Sequence, residues 1–435
     1  MSEWSLSTAS ALFKRKYDKQ SDAVFNAGNP VLSQLKVNEK FVGSDLVVNN
    51  PMGFSGSVGS GVLPKANAGK YENAILSSKR CYATMQVERE ALKASATDEG
   101  AFVRMMKEPT KKALESFQRN RSRMLFNDGT GILGKGDAAA ANVTGLGTVG
   151  SPFVVTFAAS KFHEGFWEEK DYVQVVTGID ALGEAGTAEG GDAETNLLEV
   201  VEVDVENKKV KLVGTSAILT ARVAAPAPLG ATDAIVMQRS YLRDLQGLRG
   251  VSLFSELYDL GTLPGGKTLY SIAPQRRWKM FVKDAAAAAL TKPLMNTMAL
   301  TVEKRTGKTI NLIAASFEQF QKLLDLSEDQ KRYPIMPRNE AYKKAIYSFE
   351  GVEYMTTTGP VPVVADRMVK KDEIFFLNTD YIEYYLRPGG AEWAQEDGTI
   401  FLRVTGYDSY EARYCMYGEC LIIPPFHAHL KNLAA

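Results

Sequence analysis

The sequence is poor in the residues that most often carry redox, metal or proton-transfer chemistry. Its 435 residues include three cysteines and three histidines. An odd and sparse set of thiols argues against the disulfide framework of a small secreted domain. Cys415, Cys420, His427 and His429 form a C-x4-C-x6-H-x-H pattern, which is not the spacing of a zinc finger. A hairpin turn at Tyr417-Gly418, with the two cysteines in adjacent strands, is the simpler interpretation.

Long hydrophobic runs and an excess of charge of one sign are also absent. The longest apolar run, near Ala285 to Leu290, is far shorter than the roughly 20 residues of a membrane helix. Met1-Ser2-Glu3-Trp4 lacks the positive charge of a secretory signal, which predicts a chain that stays in a cytoplasm. The 51 basic and 51 acidic residues cancel, so no global basic field marks a dedicated nucleic-acid binder. No membrane contact is expected.

The carboxylates and histidines of the sequence form no recognisable catalytic motif. The carboxylates are numerous but scattered, and His163 is far in sequence from the other two histidines. We therefore expect no enzymatic activity, no metal and no cofactor. Hydrophobic residues make up 45% of the chain and charged residues 23%, which is enough apolar material for the two or three packed units that this length allows.

A glycine-rich excursion interrupts the first part of the chain. Strands predicted over 41–48 and 81–89 bracket GFSGSVGSG and the polar PKANAGKYEN. A loop longer than about 15 residues without its own core is unusual in a compact domain. We predict an extended hairpin that reaches away from the body, with a disordered insertion as the alternative. Before it, residues 5–20 could form a short amphipathic helix, and the polar stretch that follows predicts an extended arm.

Residues 97–127 have the apolar spacing of one long helix, which would span about 45 Å at 1.5 Å per residue. Its basic side chains are Arg104, Lys107, Lys111, Lys112, Arg119, Arg121 and Arg123. They either form a solvated face that neighbouring acids balance, or a surface that attracts packaged DNA without regard to sequence. The second interpretation requires a shell.

The rest of the chain predicts an α+β fold. Short predicted strands separated by turns over 141–237 suggest a small barrel or sandwich inserted into the chain. Helices and strands mix from about 275 to 365, where Ser316 and Gln319 predict a capping box for a helix over 316–326. After residue 373 the chain returns as strands, which should close sheets begun earlier.

Gly261 to Thr268 (GTLPGGKT) matches the phosphate-binding pattern G-x-x-x-x-G-K-[ST] letter for letter. That pattern binds nucleotide only between a buried strand and a helix, because backbone N–H groups and the helix dipole then point at the phosphates. Here a charged segment precedes the loop, and Pro274 follows closely. A P-loop NTPase is therefore a distant alternative.

The order of arm, glycine-rich hairpin, long helix, α+β unit and returning strands resembles the capsid fold shared by tailed phages, herpesviruses and encapsulins. The passage from Tyr270 through Trp278 to TINLIAAS is similar to many phage shell sequences, as is the tail from Gly359-Pro360 to GYDSYEARYCMYGECLIIPP. By this resemblance the segments are an N-terminal arm (1–38), an extended loop (39–89), a peripheral domain (90–140) with a spine helix (97–127), a β-rich insertion (141–237), an axial domain (238–370) and returning strands (371–435).

The resemblance implies a major capsid protein that self-assembles in the host cytoplasm into the icosahedral head of a virion. The implied partners are other copies in hexamers and pentamers, a separate scaffolding protein, a portal, a possible cement protein and non-specifically contacted double-stranded DNA. Expected contacts between copies involve Trp4, Phe41, Phe54 and Tyr71 as aromatic anchors, with Lys65 and Lys70 on the loop. Alternatives are an encapsulin-like compartment for a cargo enzyme and, from another class, a monomeric β-rich binding module.

Overall fold

The computed structural model of the protein describes residues 30–53, 70–89, 99–136, 142–158, 161–191, 196–224, 228–328, 352–357, 359–395, 399–404 and 406–434. None of the described helices is long and apolar enough to cross a membrane. These helices are α1 (Glu99–Phe126), α2 (Ala217–Ala224), α3 (Leu248–Asp259), α4 (Lys292–Thr306) and α5 (Phe317–Glu328).

The described strands fall into three sheets and one two-stranded ribbon. In chain order they are β1 (Lys36–Asn38), β2 (Asp45–Gly53), β3 (Lys70–Ser77), β4 (Lys79–Glu88), β5 (Ile132–Lys135), β6 (Val143–Thr144), β7 (Phe153–Thr156), β8 (Tyr172–Thr177), β9 (Thr187–Ala188), β10 (Leu198–Asp204), β11 (Lys209–Gly214), β12 (Ala234–Met237), β13 (Phe281–Asp284), β14 (Leu312–Ala315), β15 (Val352–Thr356), β16 (Gly359–Ala365), β17 (Ile374–Leu377), β18 (Ile382–Trp393), β19 (Leu402–Arg403), β20 (Ser409–Ile422) and β21 (Ala428–Lys431).

The helix predicted over 97–127 runs from Glu99 to Phe126 and packs on a five-stranded sheet. That sheet has the order β1-β18-β20-β19, and β4 pairs with β20. Leu114, Phe117 and Leu125 recur at helical spacing and are at most 5% exposed. The Phe117 ring meets Tyr414 of β20 edge to face, with ring centroids 4.9 Å apart. Burial of this stripe fixes the helix across the sheet.

Gly418 lies inside strand β20 and is not part of a hairpin turn, so the turn predicted at Tyr417-Gly418 is wrong. A Cβ at Gly418 would come within 2.1 Å of the Tyr385 carbonyl oxygen on β18. The pairing of β18 with β20 shifts register directly after Leu386. The glycine therefore permits a close approach of two backbones at an irregularity of the sheet.

The β-rich part of the chain forms an eight-stranded sheet with the order β5-β12-β8-β10-β11-β7-β6, and β9 pairs with β8. Val210 and Leu212 alternate with less buried residues on β11, whereas β8 is buried from Val173 to Val176. The sheet takes β5 from upstream of residue 141, where the insertion was predicted to begin. The structure therefore joins this unit to the chain immediately after α1.

The six-stranded sheet has the order β13-β21-β17-β14-β16-β15 and mixes parallel with antiparallel pairs. Strands from the last part of the chain enter both this sheet and the five-stranded one, as the sequence predicted. At the start of α5, Ser316 accepts a hydrogen bond from the Gln319 backbone N–H at 3.3 Å. The Gln319 side chain donates instead to the carbonyls of Lys371 and Ala434. Half of the predicted capping box is therefore present.

Candidate inter-subunit surfaces

The two-stranded ribbon of β2 and β3 pairs with none of the three sheets among the described residues. Its strands pair antiparallel from Asp45 opposite Ser77 to Gly53 opposite Lys70. The strand predicted over 81–89 is present as β4, and the one predicted over 41–48 is present in part as β2. Strand β3 (KYENAILS), the partner of β2, was not predicted, and residues 54–69 of the predicted hairpin lie outside the described residues.

One face of the ribbon packs on its own subunit. Ala74 and Leu76 are fully buried there. The Ile75 backbone N–H donates to the Tyr270 carbonyl at 3.0 Å, and the Lys70 ammonium donates to the Gln275 side chain at 3.3 Å. The ribbon is therefore anchored along this face.

The opposite face of the ribbon exposes apolar side chains in register across the two strands. Val47 is 52% exposed and lies directly opposite Ile75, which is 39% exposed. Four residues along, beyond the exposed Asn49–Asn73 pair, exposed Pro51 lies opposite Tyr71, which is 58% exposed. We call these four residues the outer apolar face. A two-stranded ribbon is marginally stable by itself, so a cover over this face would both bury apolar area and hold the ribbon.

The predicted contact residues separate into three groups. Tyr71 and Lys70 lie on the ribbon, and Lys70 also forms an ion pair with Glu72 at 3.0 Å. Phe41 is 1% exposed in the subunit's own core, so its ring is not presented to another copy. Trp4, Phe54 and Lys65 lie outside the described residues.

The three arginines in the described half of α1 turn toward acids or an aromatic ring of the same subunit. Arg123 and Asp244 are each 2% exposed, with the Arg123 Nη1 and Asp244 Oδ2 atoms 2.8 Å apart. Arg119 forms ion pairs with Glu168 at 2.8 Å and with Asp171 at 2.5 Å. Arg121 lies over the Tyr384 ring, 5.1 Å from its centroid.

The predicted basic face of α1 is therefore smaller than its sequence suggests. Lys111 and Lys112 are exposed, and Lys111 lies 3.6 Å from Glu115. The side chains of Arg104 and Lys107 lie outside the described part of the structure. Helical spacing could not show that acids from distant segments neutralise the arginines, because those segments approach only in the folded chain. A DNA-facing role stays a prediction for the two exposed lysines.

The loop that matches the phosphate-binding pattern has neither of its required neighbours. Helix α3 precedes it, and the residues between Thr268 and α4 form no helix. Lys267 forms ion pairs with Glu184 and, at 3.7 Å, with Asp180, both from the eight-stranded unit. These acids raise the pKa of Lys267, whose ammonium thus joins two parts of the chain.

We expect the protein not to bind a fluorescent ATP analogue with Mg²⁺, and Lys267→Ala to leave that result unchanged. The physical reason is that no helix begins between Thr268 and α4, and Lys267 already has two acidic partners. Fluorescence anisotropy titration of both proteins measures this. Saturable binding by the parent that is lost in Lys267→Ala would instead establish the NTPase alternative.

The cysteines and the two C-terminal histidines are structural among the described residues. Cys81, Cys415 and Cys420 are free and buried. His429 shares a hydrogen bond of 2.6 Å with the Ser252 hydroxyl, and His427 accepts one from the Asn378 backbone at 3.2 Å. In the described ranges no three metal-binding side chains converge. Burial lowers the pKa of His427 to about 3, so it stays neutral in the core.

Asp366 is a buried carboxyl group at the end of β16. It is 2% exposed, and its Oδ1 accepts one hydrogen bond from the Met368 backbone at 2.9 Å. Its Oδ2 has no partner among the described residues. Burial raises the pKa of Asp366 to about 6. The folded protein therefore holds this proton more tightly than the unfolded chain, and this contribution to stability is lost as pH rises through about 6.

We expect Asp366→Asn to increase the free energy of unfolding at pH 8 by up to about 3 kcal/mol, since one pKa unit corresponds to about 1.4 kcal/mol. The amide oxygen keeps the Met368 bond, but no charge is buried. The difference should vanish below about pH 4, where Asp366 is protonated in both states. Urea unfolding at several pH values measures it, with Glu206→Gln on an exposed turn as the control. An equal shift at all pH values would contradict the proposed charge burial.

No family model matches the sequence, and no curated protein has significant sequence similarity to it. Among solved structures, the capsid asymmetric unit of cyanophage A-1(L) has 11% sequence identity and a TM-score of 0.50, and the alignment covers 94% of each chain. The capsid of a native GTA particle has 8% identity and a TM-score of 0.43, covering 93% of this chain and 90% of that one. An encapsulin of Synechococcus elongatus has 8% identity and a TM-score of 0.42, covering 93% and 87%.

The first of these likenesses extends over nearly the whole chain and shows the fold. The chain has the α+β capsid fold that its order of segments resembles, with a long helix on a sheet, a paired ribbon and a β-rich insertion. The fold prediction is confirmed. At this level of identity the likeness shows the fold alone.

Proposed function

We propose that the chain is the major capsid protein of a tailed phage, and that its copies close into the icosahedral head around double-stranded DNA. The observation that carries this proposal is the outer apolar face, which a subunit with a capsid fold exposes on a ribbon. Such a face needs a cover, and a second copy provides one. The proposed role is structural and not enzymatic.

The physical requirements of a shell agree with this structure. A shell subunit holds its partners through area and many weak contacts, and the exposed face of the ribbon adds to that area. The 51 basic and 51 acidic residues avoid strong repulsion when many copies crowd together. Arg119 and Arg123 of α1 are neutralised by acids of their own subunit. The exposed Lys111 and Lys112 could still attract DNA weakly and in a salt-sensitive way.

The proposal includes the assignments that the sequence suggested for the segments and partners. Copies would form hexamers and pentamers with the help of a separate scaffolding protein and a portal, and a cement protein could bind outside. Assembly would occur in the host cytoplasm and the mature protein would reside in the virion. The proposed segments are those given above, from the N-terminal arm (1–38) to the returning strands (371–435).

Negative-stain electron microscopy of the purified protein, alone and co-expressed with a scaffolding protein, tests the proposal. We expect closed icosahedral particles of uniform size. A monodisperse monomer under all assembly conditions would contradict the shell and favour a binding module. Mass spectrometry and nuclease digestion of the particle contents then separate packaged DNA from the cargo enzyme of an encapsulin-like compartment.

A further inference from the structure

Strand β4 is an unusually regular edge of the five-stranded sheet. It pairs with β20 over ten consecutive residues, from Lys79 opposite Gly418 to Glu88 opposite Ser409, without a register shift. Among the described residues no strand pairs with its other edge, and no backbone hydrogen bond reaches that edge from elsewhere. Such an edge offers a row of N–H and C=O groups to an added strand.

Two of the usual protections of an edge strand, a proline and a β-bulge, are missing from β4, although it carries the charged Lys79, Arg80 and Glu88. It is also longer than most edge strands. Cys81, Met85 and Val87 are buried on one face, so the strand is held flat on its own subunit. On the other face Arg80, Tyr82, Thr84, Gln86 and Glu88 are all exposed.

We propose that β4 pairs antiparallel with β4 of a second copy, about a two-fold axis that passes through Thr84. The inference rests on the proposed function, because it assigns one contact between subunits of the shell. In this register Arg80 of each copy lies opposite Glu88 of the other. The two Thr84 side chains meet at the axis, and the two five-stranded sheets become continuous.

The charge pattern of the strand selects this register. The exposed residues of β4 have even numbers. A register therefore places exposed side chains opposite one another only if it pairs even-numbered residues with even-numbered ones. Moving the axis to residue 83 would place Arg80 opposite Gln86, and both ion pairs would be lost. The chosen register does place Lys79 opposite Arg89, but each already has an acid of its own subunit, Glu419 at 3.7 Å and Asp408 at 3.6 Å.

A cysteine at the proposed axis tests the contact directly. Thr84→Cys in assembled particles should give covalent dimers on oxidation or with a short bifunctional thiol reagent, because opposed Cβ atoms in a strand pair lie about 5 Å apart. The product should stop at the dimer, since each copy has one such contact. The three native cysteines are buried. Thr187→Cys, also exposed on a strand, is the matched control and should not form dimers.

Charge reversals in the Thr84→Cys background test the register. With either Arg80→Glu or Glu88→Arg, residues 80 and 88 of the two copies carry like charges at both places where they face each other. Each variant should therefore lower the dimer yield about tenfold. The double variant exchanges the charges and should restore the yield. Circular dichroism and unfolding midpoints confirm that each variant is folded.

Three outcomes would overturn the inference. Normal particles without Thr84→Cys dimers would remove the strand pairing and leave the proposed function intact. Dimers that do not respond to the charge reversals would remove the register and its two-fold axis. A protein that stays monomeric throughout would overturn both the pairing and the proposed function.

Discussion

Replacing Val47 and Ile75 with glutamate is expected to give a folded subunit that no longer assembles into shells. Both side chains are exposed on the outer apolar face, so two carboxylates there cost the isolated subunit little. Against another copy the same carboxylates would be desolvated without partners, at a cost of several kcal/mol in each contact. Because a shell repeats the contact many times, we expect the yield of particles to fall at least about a hundredfold.

Negative-stain particle counts and analytical ultracentrifugation measure this effect, and unfolding by urea confirms that the subunit is intact. Val201→Glu is the matched control. Val201 is also an exposed strand valine, with 42% of its surface accessible, but it lies on the eight-stranded unit. Full assembly by the double glutamate variant would show that the outer apolar face is not a contact between copies.

Among the charged residues described in α1, Arg123→Ala is expected to be the most destabilising change. Arg123 and Asp244 face each other at 2.8 Å in the interior, and each is 2% exposed. Removing the arginine leaves the Asp244 carboxylate buried without its cation. Breaking a buried pair in this way costs about 3–5 kcal/mol, because the remaining charge keeps its desolvation penalty. Loss of the long side chain adds a cavity beside Met237, whose sulfur lies 3.7 Å from Arg123 Nη2.

The free energy of unfolding of the dissociated subunit measures this cost. Lys111→Ala is the control, because Lys111 lies on the same helix with 56% of its side chain exposed, and its pair with Glu115 should contribute less than about 1 kcal/mol. The double variant Arg123→Met/Asp244→Leu removes both charges and should recover most of the loss. Equal small effects of Arg123→Ala and Lys111→Ala would show that the buried pair is not required for the fold.

Local patterns in the sequence were sufficient for the long helix and for the strand predicted over 81–89, which is present as β4. The apolar spacing over 97–127 depends only on neighbours three and four residues apart, and the observed helix ends within two residues of each predicted end. The glycine-rich excursion is a local property too. Strand β3 was not predicted, because its apolar residues Ala74, Ile75 and Leu76 are consecutive and do not alternate with polar ones.

Tertiary contacts decided which side chains are available to another molecule. Arg119, Arg121 and Arg123 look like a basic face in sequence, yet their partners come from residues 168–171, 244 and 384. Phe41 looks like an anchor on an extended segment and is a core residue instead. Partners this far apart in the chain are brought together only by tertiary packing. The spacing of residues within either segment therefore cannot predict the contact.

The sequence by itself therefore determined the order of the segments and the kind of fold, because helical period, strand alternation and glycine content act over a few residues. Only the folded chain decided that, among the described residues, nothing covers the outer apolar face or the edge of β4, while three arginines of α1 have partners. Exposure depends on which distant segments pack against a residue, and that is set by the burial of the whole core.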